Sequence, residues 1–134
     1  MLNKKILVIT AAFTGLSLCV IATRPPANGY VHLQVLPKDI SSRDLNRIMV
    51  DEFTDGLGVS CNFCHAEDKK THKPDYASDE KPEKSIARAM MRMTIGLNKK
   101  YFKLKHPLIG APTMVVNCST CHNGQPHPGN PATE

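Results

Sequence analysis

Apolar residues recur at helical spacing in the first long stretch of this chain, residues 41–57. Five apolar side chains fall three or four positions apart: Leu45, Ile48, Met49, Phe53 and Leu57. This spacing places them on one face of a helix. Ser41 or Ser42 can cap its beginning, and Gly56 and Gly58 favour its end. The pattern therefore predicts an amphipathic helix over residues 41–57.

A second stretch, residues 78–104, repeats this periodicity over a greater length. Acidic residues and Pro82 lie in its first turn and lysines crowd its end, an order that suits the helix dipole. Its predicted buried face consists of seven residues: Ile86, Ala89, Met90, Met93, Leu97, Tyr101 and Leu104. Pro107 is predicted to stop this helix.

The remaining segments are shorter and more polar. Residues 61–67 and the stretch that opens at residue 118 predict short helices, and residues 66–77 predict a loop. The proline-containing residues 23–39 predict an extended lead-in, with a short strand allowed at 30–36. Residues 40–128 then form one domain, and residues 129–134 form a disordered tail.

Each long helix is followed by the same five-residue pattern, Cys-x-x-Cys-His. The first copy contains Cys61, Cys64 and His65, and the second contains Cys118, Cys121 and His122. This spacing is the attachment signature of c-type haem, in which two cysteines form thioethers and the histidine is the proximal iron ligand. The sequence therefore predicts two covalently bound haem c groups in a mainly α fold. That fold consists of two repeats of long helix, turn and motif helix, packed around the haems.

Other uses of paired cysteines fit the sequence less well. Zinc pairs usually lie about 15–20 residues apart, whereas Cys64 and Cys118 are separated by 53 residues. A disulfide framework gives no reason for a histidine after each pair. Thioredoxin-like motifs occur singly beside a βαβ pattern that this chain lacks.

The N-terminus predicts export from the cytoplasm. Lys4 and Lys5 precede an apolar run at 6–22, as in a signal peptide covering residues 1–22. Residues 16–19 resemble a lipoprotein box, except that Leu18 stands where a small residue is expected. A cleaved signal, a lipid anchor on Cys19 and an uncleaved membrane anchor therefore remain open, although a bilayer span needs about 20 apolar residues. We expect a periplasmic location or the outer face of the cytoplasmic membrane.

Composition agrees with a haem-filled interior. The formal charge is +5, aromatic content is 5% and tryptophan is absent. Removal of Lys4 and Lys5 with a signal, together with the four propionates of two haems, would offset all of that positive charge. The basic balance therefore does not point to nucleic acid. The porphyrins would replace the missing apolar bulk.

The long helices offer methionines as sixth iron ligands. Met49 is the only methionine of the first helix and lies on its apolar face. For the second haem, Met90 and Met93 lie one turn apart on the stripe, whereas Met91 points off it. A methionine is often only a core residue, but two irons that each need a distal ligand favour thioether ligation.

The other polar candidates are weaker. The remaining histidines are predicted to be exposed loop residues, with His32 and His106 as alternative axial ligands: His32, His72, His106 and His127. Arg47 and Arg88 lie near the methionines in sequence. They are candidates either for pairing with haem propionates or for ordinary surface ion pairs.

The chain resembles one dihaem half of the photosynthetic reaction centre cytochrome c subunit, a tetrahaem family. The matching text lies at residues 45–49, 57–58, 61–65, 77–80, 87–90, 93–94, 98 and 118–122. The resemblance covers about residues 40–128. It implies haems that lie along long helices and electron transfer to redox proteins, with a membrane-bound reaction centre or oxidase complex among the partners. It also implies Met49 and Met90 as distal ligands.

The chain departs from that family in having two motifs instead of four. The family's histidine that reaches across to a haem of the other half has no counterpart here, since its place falls near Leu104. The resemblance therefore does not identify the partner or show a photosynthetic host.

Three functional classes follow from these features. Two haems with His/Met ligation favour a one-electron carrier without an enzymatic activity. A dihaem peroxidase-like enzyme would need one open iron, and a haem wire would stack such modules end to end. Binding of carbon monoxide to the reduced protein separates the first two classes.

Overall fold

The computed structural model describes residues 29–129. The predicted signal at 1–22, Cys19 and all but the first residue of the predicted tail lie outside this range. Within it, no helix is both long enough and apolar enough to cross a membrane.

The described residues are mainly helical. Helix α1 (Ser42–Ile48) continues directly into a π-helical segment, Met49–Asp55, and a two-stranded antiparallel sheet separates α2 from α3. The other elements are α2 (Cys61–Cys64), β1 (Ala66–Glu67), β2 (Pro74–Asp75), α3 (Pro82–Lys100) and α4 (Cys118–His122). The strand allowed at 30–36 does not form, since these residues follow an irregular path with bends.

The first predicted helix forms, but its second half is widened. The Ser41 hydroxyl caps α1 by accepting the Asp44 N–H at 3.0 Å. The Gly56 N–H then donates to Asp51 O, five residues back, as in a π-helix. The Thr54 hydroxyl donates to Met49 O at 3.3 Å. In this widened turn Glu52 is buried, whereas a glutamate side chain is usually exposed to solvent.

Helix α3 is shorter than the predicted 78–104. Asp75 Oδ1 accepts the N–H groups of Ala77 and Ser78, each at 3.0 Å, so this turn holds the preceding residues outside the helix. At the other end, Lys103 adopts a left-handed conformation (φ +58°), which interrupts the helical path.

The predicted buried face of α3 is wrong as a description of protein packing. The buried residues of α3 are Arg88, Met91, Thr94 and Asn98. Met90 and Met93 are 41% and 49% exposed, and Ile86 and Tyr101 are more exposed still. Much of the predicted stripe does lie on one face of α3, but that face lines a cavity instead of packing against other side chains.

The core is small and forms around α1. Its buried members are Leu36, Ile40, Ile48, Met91 and Ile109. Gly110 adopts φ +76°, and a Cβ there would lie 2.6 Å from Cγ1 of Ile48. The Arg47 guanidinium donates to Gly110 O at 2.8 Å. The turn at 109–110 is therefore fixed against α1 by both packing and a hydrogen bond.

A backbone contact joins the end of the first long helix to the segment after α4. Gly58 has φ +67°, and any side chain at this position would collide with the carbonyl of Gly124. The Gly124 N–H donates to Gly56 O at 3.0 Å. Gly58 is required here because the two segments approach too closely for a Cβ, whereas at Gly124 glycine is favoured by the left-handed backbone (φ +76°).

Asn98 is fully buried and holds the segment before α4 against α3. Its amide Nδ2 donates to Val116 O at 2.8 Å and to Thr94 O at 2.9 Å. Its Oδ1 accepts the N–H groups of Val115 (2.8 Å) and Val116 (3.3 Å). All the hydrogen-bonding capacity of this side chain is thus used by backbone groups.

We predict that Asn98→Ala lowers the free energy of unfolding by about 3 kcal/mol, because buried backbone groups of residues 115–116 lose their partners. Denaturant titration of the holoprotein measures this change. Lys99→Ala, the exposed neighbour, is the control and should stay within about 0.5 kcal/mol of the natural protein. An equal, small effect of both variants would show that Asn98 does not hold this segment.

Candidate functional site

The first Cys-x-x-Cys-His motif opens onto a cavity of about 590 Å³, the first cavity. Cys61, Cys64 and His65 line it from α2 and the residue that follows. Met49 lines it from the π-helical segment. Ligand pockets typically measure roughly 300–1,000 Å³, so this cavity has the size of a cofactor site.

The second motif lines a smaller cavity of about 140 Å³, the second cavity. Cys118, Cys121 and His122 lie on one part of its lining, and Met90 and Met93 of α3 also line it. Its other lining residues are largely apolar and include Ile86 and Leu97 of the predicted stripe.

Four residues line both cavities and form the shared wall: Phe53, Cys64, Ala87 and Met91. Phe53 comes from the π-helical segment, and Ala87 and Met91 lie one turn apart on α3. The two cavities are therefore neighbours separated by single side chains. Met91, which the sequence placed off the ligand stripe, belongs to this wall.

Helix α4 is only five residues long and is stabilised by its caps. Asn117 Oδ1 accepts the Thr120 N–H at 3.1 Å, and Thr120 Oγ1 accepts the Asn117 N–H at 3.0 Å. Asn123 ends the helix in a left-handed conformation. This reciprocal capping box fixes a helix that is too short to be stable alone.

His122 is oriented by a backbone carbonyl. Its Nδ1 lies 2.9 Å from Gln125 O, and because a carbonyl can only accept, Nδ1 carries the proton. In the neutral form of this ring, Nε2 is then the nitrogen with the free lone pair. A metal-ligating histidine typically has this type of supporting hydrogen bond.

His65 has a different environment. Its Nδ1 is buried and has no hydrogen-bond partner within residues 29–129. Burial lowers the pKa of His65, and the nearby Lys84 and Arg88 lower it further, so the ring is neutral. The Tyr76 ring meets it edge-on with the centroids 5.1 Å apart. A neutral imidazole can ligate iron, but Nδ1 of His65 lacks the supporting hydrogen bond that Nδ1 of His122 makes.

The hairpin after His65 brings Tyr76 to that ring. The residues predicted to be a loop, 66–77, contain β1 and β2, with Ala66 opposite Asp75. Asp68 shapes the turn between the strands, because its Oδ1 accepts the Thr71 N–H at 2.7 Å and the Lys70 N–H at 3.0 Å. These hydrogen bonds lower the pKa of the Asp68 carboxyl. The two strands are not evident in the sequence, because each is only two residues long and polar turn residues separate them.

A cationic cluster borders the first cavity. Lys84 and Arg88 line it, and Asp79 Oδ1 lies 2.9 Å from the Arg88 guanidinium and 3.2 Å from Lys84 Nζ. Lys84 also donates to Tyr76 O at 2.8 Å, and Arg88 donates to His32 O at 3.1 Å. The hydrogen bond from Arg88, and to a smaller extent the one from Lys84, holds the pKa of the Asp79 carboxyl well below its usual range.

Buried Glu52 contacts the start of α4. The Cys118 N–H donates to Glu52 Oε2 at 3.1 Å, which satisfies one of the free N–H groups at the helix start. Burial, together with this carboxylate, raises the pKa of the Cys118 thiol to about 12. Burial likewise raises the pKa of the Cys64 thiol. Both cysteines are therefore protonated thiols at neutral pH unless they are covalently modified.

The residues of both cavities fit haem c. Each cavity brings together a cysteine pair, the adjacent histidine and at least one methionine among apolar side chains. Cys61, Cys64, Cys118 and Cys121 are free thiols. Across residues 29–129, no group of three or more His, Cys, Asp or Glu side chains could hold a metal ion.

The other histidines and the two arginines divide between cavity walls and surface. His32 lines the first cavity and His127 the second, whereas His72 and His106 line neither. Arg88 lines the first cavity, whereas Arg47 donates a hydrogen bond to Gly110 O and forms an ion pair with Asp44. All four histidines are exposed, as the sequence predicts, and His127 reaches the second cavity from the proline-rich loop after α4.

Comparison with known proteins identifies the family. The family model described as "Photosynthetic reaction centre cytochrome C subunit" matches residues 19–133. Cytochrome c-554 of Chloroflexus aurantiacus is 32% identical over 100 residues, which cover 72% of this chain and 21% of that protein. The chain thus spans about a fifth of the length of this relative. No solved structure matches the chain.

We predict that Asp79→Asn lowers the thermal midpoint at pH 7, because Arg88 and Lys84 lose their carboxylate partner. The pKa of Asp79 is depressed in the folded chain, so its contribution is present above the ordinary aspartate pKa of about 3.9 and is lost as pH falls through the folded value. Thermal unfolding from pH 7 to pH 2 should show the two midpoints converging below about pH 4. A difference between the two midpoints that stays constant with pH would exclude an ionic origin. Asp51→Asn, on the exposed side of the π-helical segment, is the control.

Proposed function

The chain belongs to the photosynthetic reaction centre cytochrome C subunit family, and on this premise we propose that it carries single electrons through two covalently attached haem c groups. The observation that carries the proposal is the grouping within each cavity of a Cys-x-x-Cys-His motif and a methionine from the preceding long helix. Haem iron held by histidine and methionine cycles between ferric and ferrous states at a raised potential.

The chain's own residues have distinct roles in this proposal. Cys61 and Cys64 form the thioethers of the first haem, and His65 and Met49 are its axial ligands. For the second haem these roles fall to Cys118 and Cys121, to His122 and to Met90. The hydrogen bond from His122 Nδ1 to Gln125 O supports its role, because it leaves Nε2 free to bind iron.

Met90 is proposed over Met93 as the distal ligand of the second haem. Both methionines line the second cavity, so its lining alone does not separate them. The family resemblance favours Met90. Met93, one turn further along α3, then packs against the porphyrin.

The cationic cluster suits the acidic edge of the first haem. Lys84 and Arg88 line the first cavity, and Asp79 neutralises only part of their charge. Propionates could therefore pair with these two side chains, in agreement with the sequence-based candidate Arg88. This pairing would fix the rotation of the porphyrin in its cavity.

The proposed setting is outside the cytoplasmic membrane, where haem is attached to such motifs. The partners are redox proteins, with a membrane-bound reaction centre or an oxidase complex as candidates. A peroxidase-like activity is disfavoured because a methionine is available to each iron, which leaves no open coordination position.

We predict two haems per chain that resist extraction with acidified acetone, since four thioethers hold them. A pyridine haemochrome assay against protein concentration measures the number. Cys118→Ala/Cys121→Ala should reduce it to one, and Ser119→Ala, within the same helix, should leave it at two. One haem in the natural chain, or extractable haem, would contradict the proposal.

We predict that Met49→Ala and Met90→Ala each remove the sulfur-to-iron absorption of one haem, lower its potential and allow carbon monoxide to bind when reduced. Met93→Leu should keep both sulfur signatures, because it truncates packing only. Optical spectra and redox titration of the three variants measure these effects. Loss of ligation in Met93→Leu instead of Met90→Ala would move the ligand to Met93, and rapid carbon monoxide binding by the natural protein would favour an enzyme.

A further inference from the structure

Charge is distributed unevenly along this chain. Of its 12 acidic residues, eleven lie between residues 39 and 83 and the other is Glu134. Residues 84–133 contain no aspartate or glutamate but seven lysines and arginines. A charge asymmetry of this kind along a sequence points to a segment that can attract negatively charged partners.

Four of those basic residues cluster around the C-terminal end of α3: Lys99, Lys100, Lys103 and Lys105. All four are exposed, and none makes an ion pair with another described residue. Lys100 Nζ lies 5.1 Å from the centre of the Tyr101 ring. The positive charge here is therefore not neutralised by the fold itself.

Exposed apolar side chains lie among these lysines. Tyr101 is 63% exposed, Phe102 45% and Val115 53%. Val115 is close to the helix end because its N–H donates to Asn98 Oδ1 at 2.8 Å. We call these three residues and the four lysines the basic-aromatic patch. Aromatic residues surrounded by charge are typical of protein–protein interfaces.

The basic-aromatic patch adjoins the second cavity. Leu97 lines that cavity, and the Tyr101 N–H donates to Leu97 O at 2.9 Å, one helical turn away. Val116 also lines the cavity and directly follows Val115. A helical turn rises about 5.4 Å, so a partner seated on the patch would lie close to the second cavity.

We propose that the basic-aromatic patch is the docking surface for an acidic redox protein that exchanges an electron with the second haem. This inference rests on the proposed function. The exchange moves one electron, so that one protein is oxidised and the other reduced, and no bond forms or breaks. An acidic protein fits better than an anionic lipid surface because the patch lies beside the second cavity. A redox protein bound there can exchange an electron with the second haem, whereas a lipid surface cannot.

The test uses the full-length holoprotein and a Lys99→Glu/Lys103→Glu variant. Lys69→Glu/Lys73→Glu is the control, since it makes the same charge change at exposed positions of the hairpin turn. Poly-L-glutamate is the binding probe, and ferricyanide, a small anionic oxidant, is the kinetic probe. At low salt we expect the patch variant to bind and react about tenfold more weakly, and the control to change less than about twofold. Added salt should remove the difference.

Equal losses in both variants would show an effect of net charge alone and would overturn the docking surface, as would no loss in the patch variant. Vesicles of phosphatidylglycerol are tested in parallel. If the patch variant loses vesicle binding but retains poly-L-glutamate binding, the surface binds lipid and the proposal is wrong. Haem content is measured in every sample, so absence of the second haem would contradict the proposed function separately from the docking result.

Discussion

Both motif segments depend on their attachment to a single helix, α3. At its N-terminal half, Lys84 and Arg88 hold the backbone of Tyr76 and His32, which border the first cavity. Near its C-terminal end, Asn98 holds residues 115–116, from which the second motif begins. Between these ends, Ala87 and Met91 line both cavities. The relative placement of the two cavities therefore depends on one helix.

Buried polar groups contribute much of this organisation because the apolar core is small. Glu52, Arg88, Thr94 and Asn98 are buried, and their hydrogen bonds or ion pairs join segments far apart in sequence or brace α3 itself. A buried polar group that loses its partner costs about 1–3 kcal/mol, so such contacts specify position more strictly than apolar contacts do. Many apolar residues of the two long helices line the cavities instead of joining the core. We infer that the porphyrins complete the interior.

Local sequence patterns predicted the family and the positions of the main helices well. The cysteine–histidine spacing and the positions of Met49 and Met90 identified residues that line common cavities, because helical periodicity determines which side chains share a face. The boundaries of α3 were less accurate, since Asp75 and Lys103 end it through turn geometry that periodicity does not report. The roles of Glu52 and Asn98 were not predictable, because each depends on a partner 17 or more residues away in the sequence. The burial of Met91 was not predicted because a stripe that lines a cavity resembles a core stripe in sequence.

We propose that two haems with similar His/Met ligation occupy the neighbouring cavities of this chain. Coulometric redox titration of the full chain, followed by its visible absorption, measures how many electrons each chain takes up. We expect two electrons per chain, taken up in one-electron steps that each change the spectrum of one low-spin haem. The shared wall should make reduction of one haem shift the apparent potential of the other. Uptake of one electron per chain, or a reduction step without the spectrum of a low-spin haem, would show that the cavities do not hold two such haems.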